Sequence, residues 1–207
     1  MKVPKNFALR STRKGIGVLP PNPMRWEHEH NALDLRHELS LSLEERLLHE
    51  DAFALLNSVL AVVAHTELRV EPRHRDHFAG ANSKKWSGMC IPFPEGDHLV
   101  VYNGVHALTR IRATLMEEFF HLWLGHAPSR VRLLTTGDGG RDFDRAKESE
   151  AYGSGAAALV PYKTLRAMLE EGVLKRDIAE HFFVSEQLVD FRIRVSKLSK
   201  LSLRQRA

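Results

Sequence analysis

Residues 117–121 read Glu117-Glu118-Phe119-Phe120-His121, and three of the five have the types and spacing to hold a metal ion and move a proton. On a helix, positions i and i+4 share one face, so Glu117 and His121 can offer a carboxylate and an imidazole to one ion. Glu118 then stands where the glutamate of a His-Glu-x-x-His helix acts as general base toward an attacking water. The departure is in the first position, where glutamate replaces histidine. A carboxylate has roughly the reach of an imidazole, so the geometry survives the exchange while the charge changes. Adjacent glutamates on a helix can equally form a solvated face, but here Phe119, Phe120, Leu122, Trp123 and Leu124 crowd them with apolar neighbours. A third ligand is needed, and Glu148, on the next helix, is the natural candidate.

The elements that must position these groups can be read from periodicity and punctuation. A helix is expected over about 106–125, with one stripe of Leu108, Ile111, Leu115, Phe119 and Leu122. A neighbouring stripe holds Arg110, Thr114, Glu117, His121 and Leu124. Gly125 and Ala127-Pro128 end the helix. A loop through Gly137-Asp138-Gly139-Gly140 leads to a helix over about 143–160. Its middle, Gly153 to Ala158, is made of small residues and implies close packing on another helix. Upstream, Ser42-Leu43-Glu44-Glu45 has capping-box spacing, and Leu48, Ala52, Leu55, Val59 and Val62 follow at helical intervals, so a helix is expected from Ser42 to about Ala64. Short strands are expected at 68–70, 89–92 and 98–102, with Pro94-Glu95-Gly96-Asp97 as the turn between the last two. Three shorter helices follow, near 163–171, 175–181 and 185–196.

In combination, these segments resemble the ImmA/IrrE family of metallopeptidases. The family pattern R-x-R-F-T-L-A-H-E-L-G-H is approached by Arg110-Ile111-Arg112-Ala113-Thr114-Leu115-Met116-Glu117-Glu118-Phe119-Phe120-His121. Its second pattern, E-x-x-A-N-x-F-A-x-x-L-L-x-P, keeps Glu148, Ala151, Leu159 and Pro161 in register, and Leu99-Val100-Val101-Tyr102-Asn103 is similar to the family's strand into the active helix. The resemblance spans about 43–196. It implies Glu117, His121 and Glu148 as metal ligands and Glu118 as the catalytic base. Tyr152 and Ser154 depart from the family's Asn and Phe. Tyr152, one turn after Glu148, is a candidate to support the ligands, together with His126 and Thr114. His126 has a competing role in capping the last carbonyls of its helix.

Zinc is the ion the resemblance implies. Two carboxylates and one neutral imidazole cancel a divalent charge, which depresses the pKa of a bound water less and favours harder ions, manganese or iron(II). The implied fold is α+β: a zincin-like helix pair against a small, mostly antiparallel sheet, with a helical C-terminal extension of helix-turn-helix type. The implied partner is a protein substrate of the DNA-binding repressor kind, whose cleavage releases stress-response or mobile-element genes. The alternative is a catalytically degenerate regulatory module that binds a protein or DNA.

Residues 1–40, with Pro20-Pro21-Asn22-Pro23, are expected to form an extended arm; 41–173 the peptidase-like domain; and 174–207 the helical extension and basic tail. In that tail Arg192, Arg194 and Lys197 could track phosphates. Phe183 stands where the turn usually has glycine, so a left-handed residue is disfavoured there. His28-Glu29-His30 looks like a metal tract but has no third partner at a defined spacing, and His74 and His77 are expected in a surface loop.

Thirty basic against 26 acidic residues give a net charge of +4, with the excess at the two ends. A single cysteine, Cys90, rules out a disulfide framework or a cysteine zinc site and suits a small buried strand position. No apolar run approaches the roughly 20 residues a membrane span requires. A cytoplasmic location is expected.

Overall fold

The computed structural model describes residues 19–69, 71–72, 83–127 and 144–203. The glycine-rich loop expected at 137–140, and His74 and His77, lie outside these residues. The helices are α1 (Trp26–Glu38), α2 (His49–Ala54), α3 (Leu108–Trp123), α4 (Arg145–Leu159), α5 (Tyr162–Glu170), α6 (Lys175–Phe182), α7 (Glu186–Val195) and α8 (Ser199–Leu203). The strands are β1 (Val59–Ala64), β2 (Gly88–Pro92) and β3 (His98–Tyr102), in sheet order β1-β3-β2. The fold is the expected α+β arrangement of a helix pair on a small sheet.

The sheet is mixed. β2 and β3 pair antiparallel, with Cys90 opposite Val100, through a turn closed by Phe93 N–H donating to Asp97 O at 2.8 Å. β1 pairs parallel with β3, with Val62 opposite Val100. The expected strand at 68–70 is not formed at Leu68, which follows a 3₁₀ turn at His65–Glu67, and Val70 lies outside the described residues.

Two expectations fail upstream of the sheet. The 42–64 helix is replaced by an irregular stretch, the short α2 and β1. Half of the capping box does form, since Glu45 Oε2 accepts from the Ser42 N–H at 2.6 Å. The buried Arg36 guanidinium, however, takes the carbonyls of Ser42 and Glu45, at 2.5 and 3.1 Å, and these are acceptors a helix starting there would need. Beyond α2, Asn57-Ser58 turns the chain, and the valines of β1 suit a pleated surface better than a helix. The second failure is the arm: α1 is a thirteen-residue helix inside the segment expected to be extended. Its buried positions are His28, Glu29, Ala32, Leu35 and Arg36, a face too polar to register as an apolar stripe.

From α3 to α7 the expected helices form, and the short α8 after them is an addition to the expected set. Ile111, Leu115, Met116, Phe119 and Phe120 are buried, whereas Leu108 is exposed at the helix start. The small-residue run of α4 packs against α3 on one side and α1 on another. A Cβ on Gly155 would lie 3.1 Å from the backbone C and O of Met116, so glycine is what allows the two helix backbones to approach. A Cβ on Gly153 would run into the His28 ring. A single hydrophobic cluster extends from Ala32 and Leu35 of α1 through α3 and α4 to Ile193 of α7 and Leu198.

Candidate metal centre

The helix pair brings the three expected ligands together. Glu117 and His121 lie one turn apart on α3, and Glu148 comes from the first turn of α4, which Asp144 caps by accepting from Ala146 and Lys147 N–H groups. One ligand atom from each of Glu117, His121 and Glu148 lies within 4.8 Å of the others. His121 Nε2 and Glu148 Oε2 are 3.7 Å apart.

The electrostatics fit a divalent cation. Burial, then the negative charges of Glu118 and Glu148, push the Glu117 carboxyl up to about 8. Every one of these influences opposes its ionised form, and a dication among the three donors would reverse the balance. Burial holds the His121 imidazole down at about 4, with His126 adding to the effect, so the ring is neutral as a ligand must be.

Glu118 turns toward the sheet. Its Oε2 accepts from the Cys90 thiol at 3.1 Å, and burial followed by this carboxylate's charge raises the pKa of the thiol far above its usual value. Cys90 is thus half-buried in β2, as a small strand residue, and also touches the candidate base, a contact that sequence spacing does not announce. Gly88 makes room for it, because a Cβ there would sit 2.6 Å from Thr114 Cγ2 and 3.2 Å from Glu118 Oε1. Thr114 therefore packs on β2 beside Glu118. Tyr152 lies near Glu117, whose charge, after burial, raises the phenol's pKa, and its ring meets Phe191 at 5.0 Å.

His126 does not cap helix carbonyls with its side chain; its backbone N–H does that, donating to His121 O at 2.9 Å. The ring lies with Nδ1 3.1 Å from His121 Nδ1 and Nε2 3.2 Å from Glu150 Oε2. Glu150 carries no motif that marks it as part of the site. The only hint was its spacing of two from Glu148, which on a helix would normally separate the two side chains.

The remaining candidates disperse. His28 is buried against Gly153, Glu29 pairs with Arg192 at 2.5 Å, and His30 is exposed, so the His-Glu-His tract does not converge on one point. Arg192 is 1% exposed and also donates to Val160 O at 2.9 Å, which removes it from any phosphate-facing surface. Arg194 on α7 and Lys197 just beyond it are exposed, but so are Glu186 and Asp190 of α7, with Asp190 held by Lys175 at 2.6 Å. Phe183 does adopt the left-handed conformation, at φ 53°, contrary to expectation. Its carbonyl accepts from Arg112 Nη1 at 2.8 Å, and the Arg46 and Arg112 guanidiniums lie 5.3 and 5.0 Å from its ring centre. Cation–π contacts of roughly 0.5–1 kcal/mol each offset a backbone cost of about 1–2 kcal/mol.

Among the described residues, no helix is long and apolar enough to cross a membrane. Residues 77–194, more than half of the chain, match Peptidase_M78, described as the IrrE N-terminal-like domain. No curated protein and no solved structure is significantly similar to the chain.

Proposed function

The chain belongs to the Peptidase_M78 (IrrE N-terminal-like) family, and on that footing we propose that it is a metal-dependent endopeptidase of a cytoplasmic regulatory protein of the DNA-binding repressor type. The observation that carries this reading is the convergence of Glu117, His121 and Glu148, with Glu118 next to them. Glu117, His121 and Glu148 would hold the ion, zinc by family habit, with manganese or iron(II) favoured by the second carboxylate. A divalent cation there would act as a Lewis acid on the scissile carbonyl and the attacking water.

The chain's own groups supply the rest. The Glu118 carboxylate, oriented by the Cys90 thiol, takes a proton from water and returns it to the leaving amine. Support for a peptide substrate comes from β2, which lies at the end of the sheet among the described residues. An edge strand offers backbone donors and acceptors to an extended peptide, and this strand carries Cys90 and Gly88, both beside Glu118.

A second reading is favoured by the raised pKa of Glu117, pushed up to about 8 by burial and its neighbouring carboxylates. With that carboxyl protonated, the cleft can persist without an ion, as a degenerate regulatory module that binds a protein, or binds DNA through Arg194 and Lys197. Metal analysis of untagged protein separates the two. A stoichiometric ion, together with cleavage of a repressor-type substrate that Glu118→Gln abolishes, is expected of the peptidase. Metal-free, folded and inactive protein would establish the module. Glu117→His adds one positive charge to the centre and should tighten zinc binding. Loss of manganese or iron binding in that variant would instead identify Glu117 as a ligand adapted to a harder ion.

A further inference from the structure

We propose that Glu150 and His126 form a relay that fixes the tautomer of His121, keeping its Nε2 lone pair free for a cation, so that both act as positioning residues. The inference rests on the metal-site reading above and follows from donor and acceptor logic. An ionised carboxylate can only accept, so Glu150 Oε2, 3.2 Å from His126 Nε2, requires the N–H on that nitrogen. A neutral His126 then has an unprotonated Nδ1. At 3.1 Å from His121 Nδ1, it can only accept, so the His121 proton must sit on Nδ1. That leaves His121 Nε2 unprotonated, and Nε2 is the atom 3.7 Å from Glu148 Oε2.

The geometry is built for this. Gly125, at φ 69°, turns the chain sharply after α3 and brings the His126 ring back over the last turn. The rings of His121 and His126 meet at 5.1 Å, and the His126 side chain is 8% exposed, so water competes little for its nitrogens. The first two turns of α4 therefore engage His121 twice: directly through Glu148 and at one remove through Glu150. Imidazole ligands commonly donate their second N–H to a neighbouring acceptor, and loss of such an acceptor typically weakens metal binding about 10- to 100-fold. Here the acceptor is a second histidine, whose own tautomer must be set by a third residue.

The test uses the full chain. Side-chain 15N spectra of metal-free protein, assigned with a His121→Gln variant, should show His121 protonated on Nδ1 and His126 on Nε2. Zinc titration should then show affinity falling about 10- to 100-fold in His126→Phe, which lacks an acceptor, and in Glu150→Gln, whose amide can donate and so reverse the relay. His126→Asn keeps an acceptor near the Nδ1 position and should retain both the His121 tautomer and affinity within about threefold of the parent. A role confined to packing would lower stability in these variants without moving the tautomer. His121 protonated on Nε2 in the parent, or zinc bound equally tightly by His126→Phe and the parent, overturns the relay. Because the 15N measurement needs no ion, a parent that fails to bind zinc counts against the peptidase reading, and the relay is still decided.

Discussion

At the scale of single residues, the metal-free protein should carry two opposed pH dependences. Glu117 has its folded pKa raised from 4.5 to about 8, so its contribution to stability is complete below about pH 4.5 and is lost as pH rises through 8. His28 is displaced the other way, to about 4, by burial first and then by Arg25. Its contribution is complete above about pH 6.5 and is lost as pH falls toward 4, on the order of 3 kcal/mol. His121, lowered to about 4 as well, adds to the rise, so the two histidines outweigh Glu117 below pH 6.5 and urea melts across pH 4–9 should peak near pH 6.5. Glu117→Gln should flatten the alkaline limb and leave the acid limb intact, and an unchanged alkaline limb would mean that Glu117 is not held neutral. The ligand cluster was legible because its residues sit at helical spacing in short motifs. Glu150 and Cys90 were not, because their roles depend on which side chain from another element they meet.

Among the elements, the helix pair is the one on which the site depends. Gly155→Ala should gain up to about 1 kcal/mol of helix propensity yet lose about 1–3 kcal/mol from overpacking, since the Met116 backbone it meets cannot rotate away. The more telling result is functional: separating α3 from α4 moves Glu148 away from His121, so metal affinity should fall even if stability barely changes. Parallel zinc titration and thermal melts check this, and unchanged affinity would mean the helices can readjust. The elements from α3 to α7 were legible because local signals end them: Gly125, Pro161, the Asp144 cap and the Ser185 cap that accepts from Leu188 N–H. The 42–64 segment also carried a local signal, and a distant residue overrode it. Arg36 reaches across to the carbonyls, and no window of sequence around Ser42 contains that information.

For the whole molecule, the Glu29–Arg192 pair joins α1 to α7 inside the protein, with Glu29 3% and Arg192 1% exposed. Arg192→Met should cost about 3–5 kcal/mol, because it leaves a buried carboxylate without its partner. Adding Glu29→Gln should recover much of that loss in equilibrium urea unfolding. A single substitution without effect would show that water reaches the pair. Sequence alone groups Arg192 with Arg194 and Lys197 as one basic strip, and charge counting cannot tell a cation facing solvent from one serving as an internal tie.

That tie also has a temporal meaning. Its two ends are 163 positions apart, so as the chain leaves the ribosome the first helix emerges long before its partner is made. During that interval Glu29 stays hydrated, and the small-residue face of α4, once synthesised, can already meet α3. Packing α1 fully onto α4 would bury an unpaired carboxylate, and that becomes favourable only when Arg192 arrives. The expected order is therefore metal-site helices first and N-terminal helix last. Released chains truncated before residue 192 should expose α1 to protease, whereas released chains that include it should protect it.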